Sequence, residues 1–160
     1  MTPKERWWSV NLDQLCALEA DSLATMAGNG FVHGDVRSDN ILLCPEGQVV
    51  FVDWTSCCFG PPWIDLVCMA PSVELEGGGS PERLLALAGL DPPADQLAPV
   101  VAGVAGYLTS SAQRPDPPGM PTVRSAQRAK AKVAVRWLQR IMGSGSAVGE
   151  PVAGPEPSST

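Results

Sequence analysis

Apolar and polar positions change rhythm several times along this chain, and each change marks an element. From Asn11 to Gly30, the residues Leu12, Leu15, Cys16, Leu23 and Met26 recur at helical spacing and predict one apolar helix face. Asn11 followed by Gln14 has the form of a capping box at the start, and Gly28 or Gly30 ends the helix. "FVHGD" reads as a short strand running into a turn. "NILLC" and "QVVFVD" then read as a hairpin across "PEG", and their nearly unbroken apolar runs predict burial.

Helical rhythm returns in the second half. "PPWIDLVCMA" starts a helix after two prolines, and Pro71 is placed to stop it. Ser80, Pro81 and Glu82 make a cap, a first helical residue and a first-turn acid for "SPERLLALAGL". Gln96–Gln113 is helical in pattern despite two glycines, and "RPDPPGMPT" is a loop. In Ser125–Met142 an apolar stripe runs through Ala126, Ala129, Val133, Trp137 and Ile141. Beside it Arg128, Lys132, Arg136 and Arg140 stand four apart. That row suits a phosphate or an acidic partner, or simply a solvated helix face, which the pattern alone favours. Residues 1–10 read as a polar leader, 11–142 as the folded unit and 143–160 as a flexible tail without core formers.

A chain of 160 residues with 44% apolar and 18% charged residues is one globular domain. Sixteen glycines and sixteen prolines predict short elements with many connections. The net charge of -6 removes a global footprint for nucleic acid, so an anionic ligand needs a local positive site or a metal. Cys16, Cys44, Cys57, Cys58 and Cys68 are odd in number and lack a C-x-x-C pair, which predicts buried free thiols in a reducing cytoplasm. No signal-peptide core or membrane-length apolar run occurs, so a cytoplasmic protein without a membrane partner is expected. Trp7, Trp8, Trp54, Trp63 and Trp137 are most simply core or rim residues.

The chemistry concentrates in "HGDVRSDN", which holds the only histidine, His33, with Asp35 and Asn40. Phosphoryl transfer needs a carboxylate to orient the attacking hydroxyl and oxygen ligands for the magnesium that bridges nucleotide phosphates. Protein kinases meet this need with H-R-D-x-x-x-x-N and a second aspartate after a strand. Here the step from Asp35 to Asn40 is the same, and Asp53 closes the next strand. A hairpin opened by Asn40 would return Asp53 beside it.

"HGDVRSDNILL" and "VVFVDW" resemble the catalytic loop and metal-binding segment of the aminoglycoside phosphotransferase family, related to choline kinase and built on the protein-kinase-like fold. "GPPWIDLV" is similar to the segment that follows, and "PTVRSAQRAKAKVAVRWLQRI" to the closing helix of small members. The likeness extends over roughly residues 10–142; each motif alone is weak, and their order and spacing carry the identification. It implies an ATP-dependent kinase acting on a hydroxyl of a small molecule, with Mg2+ and ATP as cofactors. By resemblance Asp35 is the catalytic base, Asn40 and Asp53 are metal ligands, and His33 and Asp65 support the catalytic loop. Arg37 and Asp39 lie in the variable part of the motif, with a local ion pair as their expected role.

The fold implied is α+β and mostly helical: a kinase-like carboxy-terminal lobe with a small β-hairpin at the catalytic loop. The amino-terminal lobe of strands, with its phosphate-binding lysine, has no counterpart before His33, and no "VAIK"-like strand occurs. The expectation is therefore a truncated phosphotransferase, completed by a missing lobe or given to self-association. The alternative is a non-catalytic remnant or binding protein that keeps the fold.

Overall fold

A computed structural model describes residues 3–145. Helix α1 (Pro3–Thr25) leads into strand β1 (Gly30–Val32), a 3-10 turn (Ser38–Asn40), β2 (Ile41–Leu43) and β3 (Val49–Phe51). A second 3-10 turn (Trp54–Ser56) and β4 (Cys58–Gly60) precede α2 (Ile64–Leu75), α3 (Pro81–Leu87), α4 (Ala94–Ser111) and α5 (Val123–Gly145). The architecture is mostly helical α+β, with two small antiparallel ladders and no large sheet among the described residues.

Three helices meet in the core through Val67 and Ala70 of α2, Val100 and Val101 of α4, and Trp137 and Leu138 of α5, all essentially inaccessible to water. Their burial follows from the hydrophobic gain of large apolar side chains packed at interior density. Arg136 of α5 bonds Glu74 of α2 at 3.0 Å, and Arg140 bonds Glu82 of α3 at 2.7 Å. Two members of the basic row thus fasten α5 to neighbouring helices. Ser80 caps α3 by accepting the Arg83 N–H at 3.3 Å, and Pro81 is its first residue, as the sequence signals require.

Helix α1 departs from its sequence reading at both its start and its face. It begins at Pro3, so Asn11 lies inside it and donates to the Trp7 carbonyl at 2.8 Å instead of capping. Leu15 and Ser22 are buried, whereas Leu12, Cys16 and Leu23 are exposed. The reason lies on α4. A Cβ on Gly103 would stand 3.2 Å from the Ser22 side chain, and one on Gly106 would stand 2.6 Å from Glu19 Oε1. Small residues on both helices permit close approach, and that approach fixes which face turns inward.

Pro71 does not stop α2, which continues to Leu75. The ring is fully buried in the core, and the interruption leaves one carbonyl without its helical donor. Helix α5 reaches Gly145, past the expected start of the tail; residues 146–160 lie outside the described residues.

The strands bring the largest correction. β1 pairs with β4 (Phe31 opposite Phe59) and β2 with β3 (Leu42 opposite Val50) in separate two-stranded ladders. The hairpin formed, yet β3 is exposed throughout, and Leu43 of β2 is 80% accessible. A two-stranded ladder without a second layer has nothing to bury its apolar faces against. The cysteines follow suit: all five are free, but Cys16, Cys57, Cys58 and Cys68 are exposed and only Cys44 is half-buried.

Candidate active site

The loop after β1 is organised around Asp65, in the first turn of α2. Its carboxylate accepts the His33 N–H at 2.7 Å and the Gly34 N–H at 2.9 Å. Such charge-assisted bonds are about twice as strong as neutral ones. Gly34 adopts φ +79°, and a Cβ there would overlap the Ser56 carbonyl, so only glycine suits the position after His33. The loop therefore turns sharply and delivers Asp35.

His33 is buried, and its ring spans two strands' worth of chain. Nε2 lies 2.9 Å from the Val52 carbonyl, which can only accept, while Nδ1 accepts the Asp35 N–H at 3.3 Å. Together these partners assign the neutral ring with its proton on Nε2. Asn40 is also buried. Its Nδ2 donates to the Asp35 carbonyl at 2.9 Å and approaches Asp35 Oδ2 at 3.4 Å. This orientation leaves the amide oxygen for another partner.

Asp53 reaches the same region by backbone pairing. Val52 N–H donates to the Asn40 carbonyl at 3.0 Å, extending the β2–β3 ladder and setting Asp53 one residue beyond. Asp53 has φ +62°, the one non-glycine residue with positive φ among those described. Backbone in that region is sparsely populated by side-chain-bearing residues and is found preferentially at functional sites. Its Oδ1 accepts the Thr55 hydroxyl at 2.9 Å. The structure thus binds His33, Asp35, Asn40 and Asp65 into one hydrogen-bonded unit, with Asp53 tied to it through Val52 and no side-chain bond to Asp35.

Asp35 opens into a cleft of about 550 Å3. Its walls come from α2 (Cys68, Pro71), α4 (Val104, Tyr107) and α5 (Gln127, Lys130). Sequence reasoning missed these residues, because they come from three distant helices and belong to no local motif. Burial of the Cys68 thiol, helped by the nearby Asp65 carboxylate, pushes it up to about 11, although part of the residue is open to water. At the rim Arg37 bonds Asp39 through two contacts, 2.6 and 3.0 Å, and both side chains are largely exposed. That bond holds the Arg37 guanidinium above, and the Asp39 carboxyl below, their ordinary values. The ion pair expected for this stretch is present.

Behind the loop Trp54 stacks on Phe31 with ring centres 5.6 Å apart and lies 4.6 Å from the His33 ring. Of the other tryptophans, Trp63 and Trp137 are core residues, and Trp7 and Trp8 are half-buried. Among the described residues no three His, Cys, Asp or Glu side chains gather closely enough to hold a metal by themselves. Asn40 and Asp53 each retain an oxygen suited to a hard cation such as Mg2+, whose remaining ligands in sites of this kind come from water and phosphate. None of the described helices is long and apolar enough to cross a membrane.

Residues 4–101 match the model of the phosphotransferase enzyme family. No curated protein matches the chain significantly, and no solved structure does. The match covers well over half of the chain and contains the whole Asp65-anchored loop, Asn40 and Asp53; the chain belongs to the phosphotransferase enzyme family.

Proposed function

We propose that this chain carries the acceptor side of an ATP-dependent phosphotransferase site for a hydroxyl of a small molecule. The observation that supports it is the hydrogen-bonded unit that aims Asp35 into a cleft of ligand size. Asp35 orients the hydroxyl and takes its proton as the phosphoryl group arrives. His33 and Asp65 hold the loop that presents it. Asn40 and Asp53 would hold Mg2+, which supplies charge neutralisation at the nucleotide phosphates when bound.

The cleft has one carboxylate, Asp35, against the cation Lys130, while Arg37 at its rim is bonded to Asp39, and much of its wall is apolar. A polycation would find too few acids there. A neutral or anionic hydroxylated compound with an apolar body fits better.

A kinase-type lobe with a phosphate-binding lysine would complete the site in this reading. The exposed apolar residues of the two ladders are the surface it would cover, with a second copy of the chain as the other candidate. The second reading is a binding protein that keeps the fold without turnover. Without a fixed γ-phosphate, positioning fails and transfer stops.

The test is an ATP-dependent phosphorylation assay on the chain alone and fused to the amino-terminal lobe of a family member. The fusion should turn over a hydroxylated substrate while the isolated chain does not. Asp35→Asn should lower kcat of the fusion about 100-fold or more. Activity that survives both Asp35→Asn and Asp53→Asn rejects the site.

A further inference from the structure

A second cavity, larger than the Asp35 cleft, lies elsewhere. About 820 Å3 in volume, it lies where the start of α1 meets the end of α4 and the middle of α5. It shares no lining residue with the Asp35 cleft, and α5 divides them: Gln127 and Lys130 face the cleft, Arg128 and Lys132 the larger cavity. On α4 and α5 the two lie back to back, with Leu108 and Gln127 on the cleft and Thr109 and Arg128 on the larger cavity.

Its lining is unusual for a protein of net charge -6. Arg114, Arg128, Lys132 and Arg136 all contribute, and no acidic side chain does among the described residues. Arg136 is engaged with Glu74. Arg128 donates to the Ala112 carbonyl at 3.0 Å, which fixes the guanidinium in place but leaves its charge uncompensated. Arg114 and Lys132 complete a local positive field inside an acidic molecule. The like charges of Arg114, Arg128 and Lys132 converging on one concavity repel each other, and an anion relieves that repulsion.

The opposite wall is aromatic. Trp7 and Trp8 meet edge to face with ring centres 5.3 Å apart, and Val135 continues the apolar surface. An indole face beside fixed guanidinium groups accepts a planar ring by stacking, while the cations take its charged substituent. A pocket of this volume, largely apolar with a few convergent polar groups, is of the kind that takes small ligands.

We propose that this cavity is a second ligand site, for a small molecule that joins an aromatic ring to a phosphate or carboxylate group. The sequence shows the same basic row as a solvated face, because Trp7, Trp8 and Arg114 come from other segments. The site is independent of phosphoryl transfer at Asp35 and stands whether or not that chemistry occurs.

The test uses 1-naphthyl phosphate and the full chain, followed by calorimetry and by quenching of tryptophan fluorescence. One-site binding that weakens as salt rises is expected. Inorganic phosphate and 1-naphthol should each bind at least about tenfold more weakly, since each satisfies one wall only. Arg114→Ala and Lys132→Ala should each raise Kd about tenfold, the usual scale for losing one charged hydrogen-bond partner. Lys132→Glu, at an exposed position, should raise it further, and circular dichroism verifies that each variant is folded. Asp35→Asn and Lys130→Ala should leave Kd unchanged. Equal binding of 1-naphthol, an unaltered Kd in all the Arg114 and Lys132 variants, or loss of binding in Lys130→Ala would each overturn the assignment.

Discussion

Asp65→Ala tests whether one carboxylate holds the catalytic loop. The side chain accepts two backbone N–H groups, from His33 at 2.7 Å and from Gly34 at 2.9 Å. The Gly34 bond is at the surface, where water replaces it at little cost. The His33 bond is partly buried and charge-assisted, and stranding its donor costs about 1.5–3 kcal/mol. Asp65→Ala should therefore destabilise the protein by about 2 kcal/mol, read from the urea midpoint at constant slope. Asp65→Asn should be intermediate, because one oxygen still accepts while its NH2 group confronts the other donor. Amide exchange adds a local reading: the His33 N–H should lose protection in both variants while the Val100 and Trp137 amides keep it. A change below about 0.5 kcal/mol with His33 protection intact would show that the loop is held by the His33 ring and Asn40 instead.

Three further outcomes follow from other parts of the molecule. Gly34→Ala should cost about 1–3 kcal/mol, since φ +79° and the Ser56 carbonyl both exclude a Cβ; a stable variant with an unchanged Asp35 loop by NMR would contradict that geometry. Burial pushes the Glu82 carboxyl up, but hydrogen bonds from Arg140, its own backbone and Ser80 outweigh it and hold the group below its ordinary 4.5. A depressed folded value means stability present above about pH 4.5 and lost as pH falls through the lower folded value, so the gap between wild type and Glu82→Gln should close in acid; a gap that widens in acid would reverse the sign. Phe31, Leu43 and Phe59 stand 63%, 80% and 71% exposed, so the chain alone should self-associate, and Leu43→Lys with Phe59→Lys should reduce it in sedimentation velocity; a monomer at high concentration before substitution would refute the expectation.

Local chemistry carried much of this protein. The Ser80–Pro81–Glu82 start of α3, the β2–β3 hairpin across "PEG" and the Arg37–Asp39 pair were legible because each depends on residues a few positions apart. The order His33, Asp35, Asn40, Asp53 was legible for the same reason: a loop and a hairpin are short-range objects. What the tertiary structure decided is which faces turn inward. Leu12 and Leu23 are exposed and Ser22 buried because Gly103 and Gly106, some eighty residues away, let α4 approach there. The apolar hairpin lies open because no second layer covers it among the described residues, and no periodicity within β2 or β3 could report that. The cavity cations were readable as a row, but the tryptophans opposite them were not, since helix packing alone brings residues 7 and 8 to residue 132. Burial is a property of pairs of surfaces, and a sequence pattern describes only one of them.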